Sequence, residues 1–356
     1  MPYYYTLRDL DKADRSRAIE GIQRLRELRD THIPARTLNE TLLLATWNVR
    51  DLGNEDKRAT PEGLDMPGPR LDESYFYIAE VISFFDIVAL QEVNSLDSLK
   101  RLMKILGPSW DFLTTDIKPD RSGNHERMTF VYDKRRIWFK NMAGQIVLSE
   151  GDQFVRTPYY ASFQCGWFQF VLCNVHIKYG NHQNTSERER EIDHIADFLA
   201  DRVERTYENM VLLGDFNILG RDHATFEPLG THGWVVPRVF PTNVTQSRPY
   251  DQIAFKIRDG QLRQGPSNPN AGTLPFFDAV FRPDEWETYY NAARATGRRM
   301  ESWENTLDWP REDRVLTPEE YYSKQWRTWQ MSDHMPLWVE LSIDFSDEYL
   351  NKMKND

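Results

Sequence analysis

The sequence of 356 residues has only two cysteines, no long apolar run and no excess of positive charge, and each absence excludes a class of protein. Cys165 and Cys173 flank a predicted hairpin turn at Gly166 and are poorly placed to pair, which excludes a disulfide framework and favours a reducing compartment. No stretch approaches the roughly eighteen consecutive apolar residues of a membrane span. The N-terminus lacks the basic start and apolar centre of a secretion signal. We therefore expect a cytoplasmic protein, with a secreted protein whose signal has been removed as the alternative.

The formal charge of −11 argues against binding to nucleic acid by bulk electrostatics. It does not exclude an enzyme that acts on phosphates, because a metal ion can offset a negative site. The sequence also lacks a glycine-rich phosphate loop and a Gly-x-Ser-x-Gly elbow, and neither cysteine has a nucleophile setting. A covalent intermediate is therefore not favoured.

Five short apolar runs carry, at one end, residue types that serve in catalysis or metal binding. The runs with their end residues are 42–47 with Asn48, 86–91 with Glu92, 170–175 with His176, 210–214 with Asp215 and Asn217, and 335–341 preceded by Asp333 and His334. Each run has the length and composition of a buried strand. Burying such polar groups singly is costly, so we expect the five ends to converge on one rim.

Residues two apart in a strand face the same side, so Asp215 and Asn217 would project together. The alternative is an Asx-type turn, in which both side chains bond only the local backbone. Two histidines, His176 and His334, adjoin apolar runs and could be structural residues. Glu126 and Asp251 are the carboxylates available to orient them.

Oxygen ligands dominate this set and cysteine is absent from it, which suits Mg²⁺, or Mn²⁺ or Ca²⁺ as alternatives, better than structural zinc. A metal, acceptors that position water and an Asp–His pair are the parts needed for in-line attack of water on a phosphoester.

The chain divides by pattern into residues 1–40, an N-terminal amphipathic helical extension, and 41–345, a catalytic domain. The helix would pack through apolar residues at helical spacing, namely Ala18, Ile19, Ile22, Leu25 and Leu28. Glu126 to Tyr132 alternates as a half-buried strand does. Residues 257–331 form an aromatic-rich insertion, which is either a packed flank or a platform that stacks the bases of a single strand. Strands that alternate with helices and then pair as hairpins indicate a mixed sheet or two stacked sheets.

Seven motifs in order resemble the endonuclease/exonuclease/phosphatase superfamily, and within it the deoxyribonuclease I-like branch. They are Thr46-Trp47-Asn48, Leu90-Gln91-Glu92-Val93, Glu126-Arg127, Val175-His176, Leu213-Gly214-Asp215-Phe216-Asn217, Tyr250-Asp251-Gln252-Ile253 and Ser332-Asp333-His334-Met335-Pro336. The resemblance covers roughly residues 41–342. It implies an α/β fold, a four-layer α/β sandwich of two stacked mixed β-sheets flanked by helices, and divalent-metal phosphodiester hydrolysis.

The resemblance also implies roles for the matching residues. Glu92 would be the principal metal ligand, with Asn48 and Asp333 close to the ion. The catalytic set would be His176 with Glu126, His334 with Asp251, and Asp215 and Asn217 aligning water and a phosphate oxygen. Arg127 and Asn217 would contact substrate.

Two departures from the family pattern concern duplex DNA. Asn94 stands where the deoxyribonuclease has an arginine that enters the minor groove, and Asn124 stands where it has a tyrosine that grips the groove. We therefore expect a nuclease with a transient nucleic acid substrate and no obligate protein partner, whose strand preference is open. The alternatives are a phosphomonoesterase or lipid or inositol phosphodiesterase of the same superfamily, or a non-catalytic phosphate-binding module.

Overall fold

The computed structural model describes residues 2–53, 70–116, 126–147, 154–180, 184–206, 208–257, 263–296 and 317–355. Within these ranges twelve strands form two stacked sheets. The strands are β1 Thr41–Leu52, β2 Ile87–Val93, β3 Trp110–Thr114, β4 Arg127–Asp133, β5 Trp138–Gln145, β6 Tyr159–Cys165, β7 Phe168–His176, β8 Met210–Asp215, β9 Asp251–Lys256, β10 Arg263–Gln264, β11 Ala271–Thr273 and β12 Leu337–Ser342.

Helices cover the outer faces of both sheets. The α-helices are α1 Lys12–His32, α2 Asp72–Ile82, α3 Leu96–Leu106, α4 Ser186–Thr206, α5 Glu227–Thr231, α6 Trp286–Thr296, α7 Pro318–Tyr321, α8 Arg327–Gln330 and α9 Ser346–Asn355. Short 3₁₀ turns span Tyr4–Asp9, Phe276–Asp278 and Pro283–Glu285, and one π-helical turn, Tyr322–Trp326, joins α7 to α8. No helix among the described residues is long and apolar enough to cross a membrane.

Each sheet is mixed, with one parallel pair at its centre. The first sheet has the order β10-β12-β1-β2-β4-β3, with β11 also pairing with β12, and the second has the order β5-β6-β7-β8-β9. The parallel pairs are β1 with β2 and β7 with β8, and the other described pairings are antiparallel. Parallel neighbours place their carboxyl ends at the same edge, so this order fixes where the site lies.

Three apolar layers hold the sandwich together. One lies between the sheets, one between the first sheet and helices α1 to α3, and one between the second sheet and α4 and α5. The predicted four-layer α/β sandwich is therefore confirmed. The two cysteines are free, as predicted, and both are buried.

Helix α1 packs on α2 through an ionic ladder as well as apolar contacts. Arg17 Nε lies 2.8 Å from Glu73, and Arg26 Nε lies 2.8 Å from Glu80. The prediction that five residues of this helix pack against the rest of the protein is wrong for one of them, because Ile19 is exposed to solvent. Gly21 takes a place on the packed face instead, where its missing side chain leaves room for the Tyr77 ring. The division at residue 40 is not tested by this packing.

The strand predicted at 126–132 is confirmed as β4, but the expectation that it is half-buried is wrong, since every residue of β4 is buried. Phe130 packs between the sheets, whereas Val131 packs in the layer beneath the helices. Polar Thr129 is accommodated because its hydroxyl bonds Thr114 at 2.8 Å.

The aromatic residues of the 257–331 insertion that the structure describes mainly form a packed flank. Tyr289, Tyr322 and Trp326 are buried and stack on one another, with ring centroids 5.4–5.9 Å apart. These rings are closed to bases. Trp303 and Trp309 lie outside the described residues.

Candidate active site

The strand order brings the predicted site residues to one edge of the sandwich. β1 and β2 end at this edge in the first sheet, β7 and β8 end there in the second, and β1 packs across from β8. Glu92, His176 and Asp215 lie at the ends of β2, β7 and β8, and Asn48 lies in β1 where its pairing with β2 becomes irregular. β9 and β12 run antiparallel to their neighbours and therefore begin at the same edge, next to Asp251 and His334.

Asn48 holds two carboxylates together at the centre of this edge. Its Nδ2 donates to Glu92 Oε1 at 2.8 Å and to Asp215 Oδ2 at 3.1 Å, and its Oδ1 accepts from the Arg50 backbone N–H at 2.9 Å. Glu92 has a left-handed backbone (φ +61°), and its Oε2 accepts from the Asp51 backbone N–H at 2.8 Å. A ligand role for Asn48 stays a prediction that would require its amide to rotate.

His176 belongs to a buried triad with Glu126 and Arg156. Its Nδ1 lies 2.9 Å from Glu126 Oε2, and the Arg156 guanidinium pairs with the other Glu126 oxygen. Burial lowers the pKa of His176 to about 4, the charge of Arg156 adds to this effect, and Asp215 and Glu92 oppose it. His176 is therefore neutral at neutral pH.

His334 belongs to a second buried pair, with Asp251. Its Nδ1 lies 2.7 Å from Asp251 Oδ2, its backbone N–H donates to Ser332 Oγ at 2.9 Å, and its carbonyl accepts from Trp47 Nε1 at 2.8 Å. Burial alone would lower the pKa of His334. The Asp251 and Asp215 carboxylates outweigh burial and hold this pKa well above its ordinary value.

The two histidines approach the same carboxylate oxygen from different sheets. His176 Nε2 lies 3.6 Å from Asp215 Oδ2, and His334 Nε2 lies 3.8 Å from it. One ring is neutral and the other charged at neutral pH, so the site holds a proton acceptor and a proton donor beside one fixed acid. General acid–base chemistry needs such a pair.

In the turn after β8, Asp215 makes the Asx-type bond of the alternative interpretation, and the common projection of Asp215 and Asn217 into the site stays a prediction. Asp215 Oδ1 accepts from the Asn217 backbone N–H at 2.9 Å, which is the predicted Asx-type alternative, while Oδ2 still faces the histidines. Asn217 is left-handed (φ +54°), and its Nδ2 donates to the Ile177 carbonyl at 2.8 Å. The Asn217 side chain is therefore partly used in joining β8 to the end of β7.

Asp333 lies at the rim, half-buried and paired with Arg50 at 3.5 Å. The Arg50 guanidinium lies 4.1 Å from the centre of the Trp329 ring and donates to the Thr328 hydroxyl. In the described part of the chain, two groups of acids and histidines have ligand atoms within 4.8 Å of one another, and Asp333 is in neither. Its role as a metal ligand remains a prediction.

Arg127 is buried and supports the loop after β2. Its Nη1 donates to the Asn94 carbonyl at 2.9 Å, and burial lowers the pKa of its guanidinium. Asn94 in turn donates through Nδ2 to Asp51 Oδ1 at 2.6 Å, so it is held beneath the Glu92 turn. Substrate contact by Arg127 is not tested by this placement, and Asn124 lies outside the described residues.

Two groups of acids and histidines at this edge could hold a divalent cation. The two groups are Glu92 with Glu126 and His176, and Asp215 with Asp251 and His334. In each group one carboxylate is already hydrogen-bonded to the histidine Nδ1. Among the described residues no lysine or arginine lies within ion-pair distance of Glu92, and its neighbour His176 is neutral. A hard cation would compensate the charge of this partly exposed carboxylate.

Two arginines contact the site residues and were not predicted from the sequence. Arg156 comes from the loop before β6, and nothing in its spacing marks it. Arg188 lies in the first turn of α4, on the apolar face that Ile192 and Ile195 continue. A charged residue on the buried face of an amphipathic helix was the available signal.

Comparison with known proteins agrees with this architecture. No family model matches the chain. A protein named deoxyribonuclease from Thioalkalivibrio sp. is 28% identical over 263 residues, which is 68% of this chain and 64% of that protein. The match thus spans less than two thirds of the relative's length.

Two solved structures from Bacteroides thetaiotaomicron share the fold. An endonuclease/exonuclease/phosphatase family protein superposes with a TM-score of 0.52 at 19% identity, over 86% of this chain and 99% of that one. A mannosyl-6-phosphatase superposes with a TM-score of 0.51 at 19% identity, over 84% and 99%. The resemblance predicted from the motifs is confirmed: the chain has the deoxyribonuclease I-like fold of the endonuclease/exonuclease/phosphatase superfamily.

Proposed function

We propose that this protein is a divalent-metal-dependent phosphodiester hydrolase, and specifically a nuclease that cleaves DNA or RNA by attack of water at phosphorus. One observation carries the proposal: the neutral His176 and the charged His334 both lie within 4 Å of Asp215 Oδ2, beside the uncompensated Glu92. The sequence relative named deoxyribonuclease supports a nucleic acid substrate.

The chain's own residues divide the proton transfers between them. His176 Nε2, neutral and held by Glu126, accepts a proton from the attacking water. His334 Nε2–H, held charged by Asp251, donates a proton to the oxygen that leaves phosphorus. Asp215 lies between the two rings and orients the water. One P–O bond forms and one breaks. His176 gains one proton and His334 loses one, so the total number of protons on the two histidines is unchanged.

The proposed cation is Mg²⁺, with Mn²⁺ or Ca²⁺ as substitutes, and Glu92 would be its main ligand. When bound, it would neutralise phosphate charge and polarise the scissile P–O bond. Asn48 keeps the Glu92 and Asp215 carboxylates at a fixed separation by donating to both.

The same chemistry would serve a phosphomonoester or a lipid or inositol phosphodiester. The site core does not select among these, because His176, His334 and Asp215 address only the phosphoryl group and its water. A non-catalytic phosphate-binding protein is disfavoured, since binding alone requires no pair of oppositely protonated histidines.

A substrate panel tests the proposal. Purified protein is incubated with plasmid DNA, single-stranded DNA, RNA, bis(4-nitrophenyl) phosphate and sugar and inositol phosphates, each with Mg²⁺, Mn²⁺, Ca²⁺ or EDTA. We expect Glu92→Gln and His334→Gln to lower turnover about 100-fold or more. His232→Gln is the matched control, because His232 also binds an aspartate at 2.7 Å but lies against α4, away from this edge.

Metal-dependent cleavage of nucleic acid, lost in both site variants and kept in the control, would support the nuclease. Hydrolysis restricted to the sugar or inositol phosphates would instead support the alternative, a phosphatase that acts on small phosphoesters. If the wild type and both variants leave every substrate equally intact, the enzyme hypothesis fails.

A further inference from the structure

We infer that Arg188 is a positioning residue that sets the separation of His176 and Asp215 from beneath the site. The inference rests on the proposed function and extends it to a residue outside the motifs. Arg188 is fully buried in the first turn of α4, on the outer side of the second sheet.

The Arg188 guanidinium joins the ends of two neighbouring strands. Its Nη1 donates to the Asn217 carbonyl at 2.7 Å, two residues after Asp215 ends β8. Its Nε donates to the Tyr179 carbonyl at 3.0 Å, three residues after His176 ends β7, and Nη2 donates to the same oxygen. His176 and Asp215 are paired residues in the parallel register. Arg188 thus bridges the two chain segments directly beyond that pair.

A stability role alone accounts poorly for this side chain. No carboxylate among the described residues lies within ion-pair distance of Arg188. Its direct contacts are with two carbonyls and the Tyr179 side chain, whose ring centre lies 4.3 Å away, and the Asp215 charge acts on it from a longer distance. Burying a charge without an opposite charge is expensive, and an apolar side chain of similar size would pack there at lower cost. The planar fork of donors explains the choice, because it reaches two carbonyls at fixed angles.

The conformation of Asn217 explains why loss of the Arg188 bridge would move Asp215. Asn217 is left-handed, which costs energy for a residue other than glycine. Its N–H, side-chain amide and carbonyl are held by Asp215, Ile177 and Arg188 respectively. Without Arg188 the Asn217 carbonyl has lost its charged donor, so the turn can relax and shift Asp215 relative to His176.

The influence of Arg188 also reaches the other histidine through ring contacts. Tyr179 packs edge-on to Tyr250 with centroids 6.1 Å apart, and Tyr250 packs against the His334 ring at 5.7 Å. One guanidinium therefore supports all three groups that the proposed proton transfers use.

The test compares Arg188→Lys and Arg188→Ala with the same two changes at Arg136. Arg136 is the control: its side chain is 8% exposed, and it donates to the Thr41 carbonyl and pairs with Asp86 at 3.1 Å, at the opposite end of the sandwich. For each variant we would measure both the turnover of bis(4-nitrophenyl) phosphate with Mg²⁺ and the melting temperature. We expect Arg188→Lys to lower kcat about 100-fold, as a misplacement near 1 Å does, with KM changed by less than about threefold. The Arg136 variants should lose stability but keep kcat within about twofold.

Guanidinium rescue separates positioning from stability. Millimolar guanidinium chloride should raise kcat of Arg188→Ala several-fold and leave the wild type and Arg136→Ala unchanged. The positioning role is wrong if Arg188→Lys keeps the wild-type kcat. It is also wrong if the loss of kcat in the Arg188 variants only follows their loss of melting temperature and guanidinium does not restore activity. A wild type inactive on this substrate and on the whole panel instead overturns the proposed function, and this inference with it.

Discussion

Replacing Asp251 by asparagine isolates the charge that keeps His334 protonated. Asp251 Oδ2 lies 2.7 Å from His334 Nδ1, and the aspartate is fully buried. Asparagine has nearly the same shape and can still accept this hydrogen bond through its oxygen, so the change removes charge and leaves the packing. Burial, which lowers the pKa of His334, is then opposed mainly by Asp215.

The expected loss follows from the depth of the pair. At 2.7 Å and an effective dielectric constant near 20, two unit charges attract by about 6 kcal/mol, and breaking a buried pair commonly costs about 3–5 kcal/mol. If His334 must carry a proton to the leaving oxygen, we expect kcat at pH 7 to fall about 100- to 1000-fold in Asp251→Asn. The alkaline limb of the rate profile should move to lower pH, because less of His334 is charged.

Stability should change with pH in a defined direction. A histidine whose pKa is raised in the folded state stabilises the fold fully below its unfolded pKa, near 6.5, and this contribution disappears as pH rises through the folded pKa. The difference in unfolding free energy between wild type and Asp251→Asn should therefore be largest below about pH 6 and shrink at alkaline pH.

The assay is a series of kcat and kcat/KM values from pH 4 to 10, with urea unfolding at pH 6 and pH 9. Asp193→Asn is the control, since Asp193 also lies 2.7 Å from a histidine, His232, outside the site. The assignment of His334 as the proton donor would be refuted if the wild-type rate profile has an alkaline limb and Asp251→Asn leaves that limb at the same pH.

Three further predictions concern the rest of the site and its support. Arg156→Gln should move the acid limb of kcat to higher pH, because the Arg156 charge helps burial to keep the pKa of His176 near 4; a rate profile from pH 3 to 7 measures it. Glu92→Gln should weaken Mn²⁺ binding at least tenfold by titration calorimetry, since the proposed ligand carboxylate becomes a neutral amide. Trp326→Ala should lower the unfolding free energy by about 3–5 kcal/mol in denaturant titration, because Trp326 is fully buried against Tyr289.

The strand ends could be predicted because buried strands have a strong compositional signal. Runs such as Met210 to Leu213 stop at a breaker, and a polar residue at that point must lie at a sheet edge. Strand β5 carries no such signal: it is an edge strand whose residues alternate between exposed and half-buried. Helix α9 is likewise exposed along most of its length, so no apolar face marked it.

Backbone conformation and long-range charge contacts were beyond the sequence pattern. The left-handed conformation of Glu92 arises where two neighbouring strands pair irregularly with β2, and no local residue preference encodes it. Arg156 and Arg188 act from the loop before β6 and from a helix that packs on the outside of the second sheet. Their partners are 30 and 29 positions away in the chain, at Glu126 and Asn217.

The difference between the two histidines shows what the motifs leave undecided. His176 and His334 each end or precede a buried strand, and each binds a buried carboxylate within 3 Å. From these carboxylate contacts alone, the two histidines would be expected to have similar pKa values. Arg156 breaks the symmetry: burial lowers the pKa of His176 and the Arg156 charge adds to this, so that Asp215 and Glu92 oppose the shift without overcoming it.

Asp251 has no such cation: its Oδ1 is buried without a hydrogen-bond partner among the described residues, so its full charge acts on His334. The assignment of acceptor to His176 and donor to His334 thus depends on burial, on the Asp251 and Asp215 carboxylates and on one arginine outside the motifs. Reversing the charge balance, by Arg156→Gln together with Asp251→Asn, should bring the two titrations toward each other and narrow the pH range of activity from both sides. A double variant with the wild-type pH profile would show that the carboxylate partners do not set the protonation of the histidines.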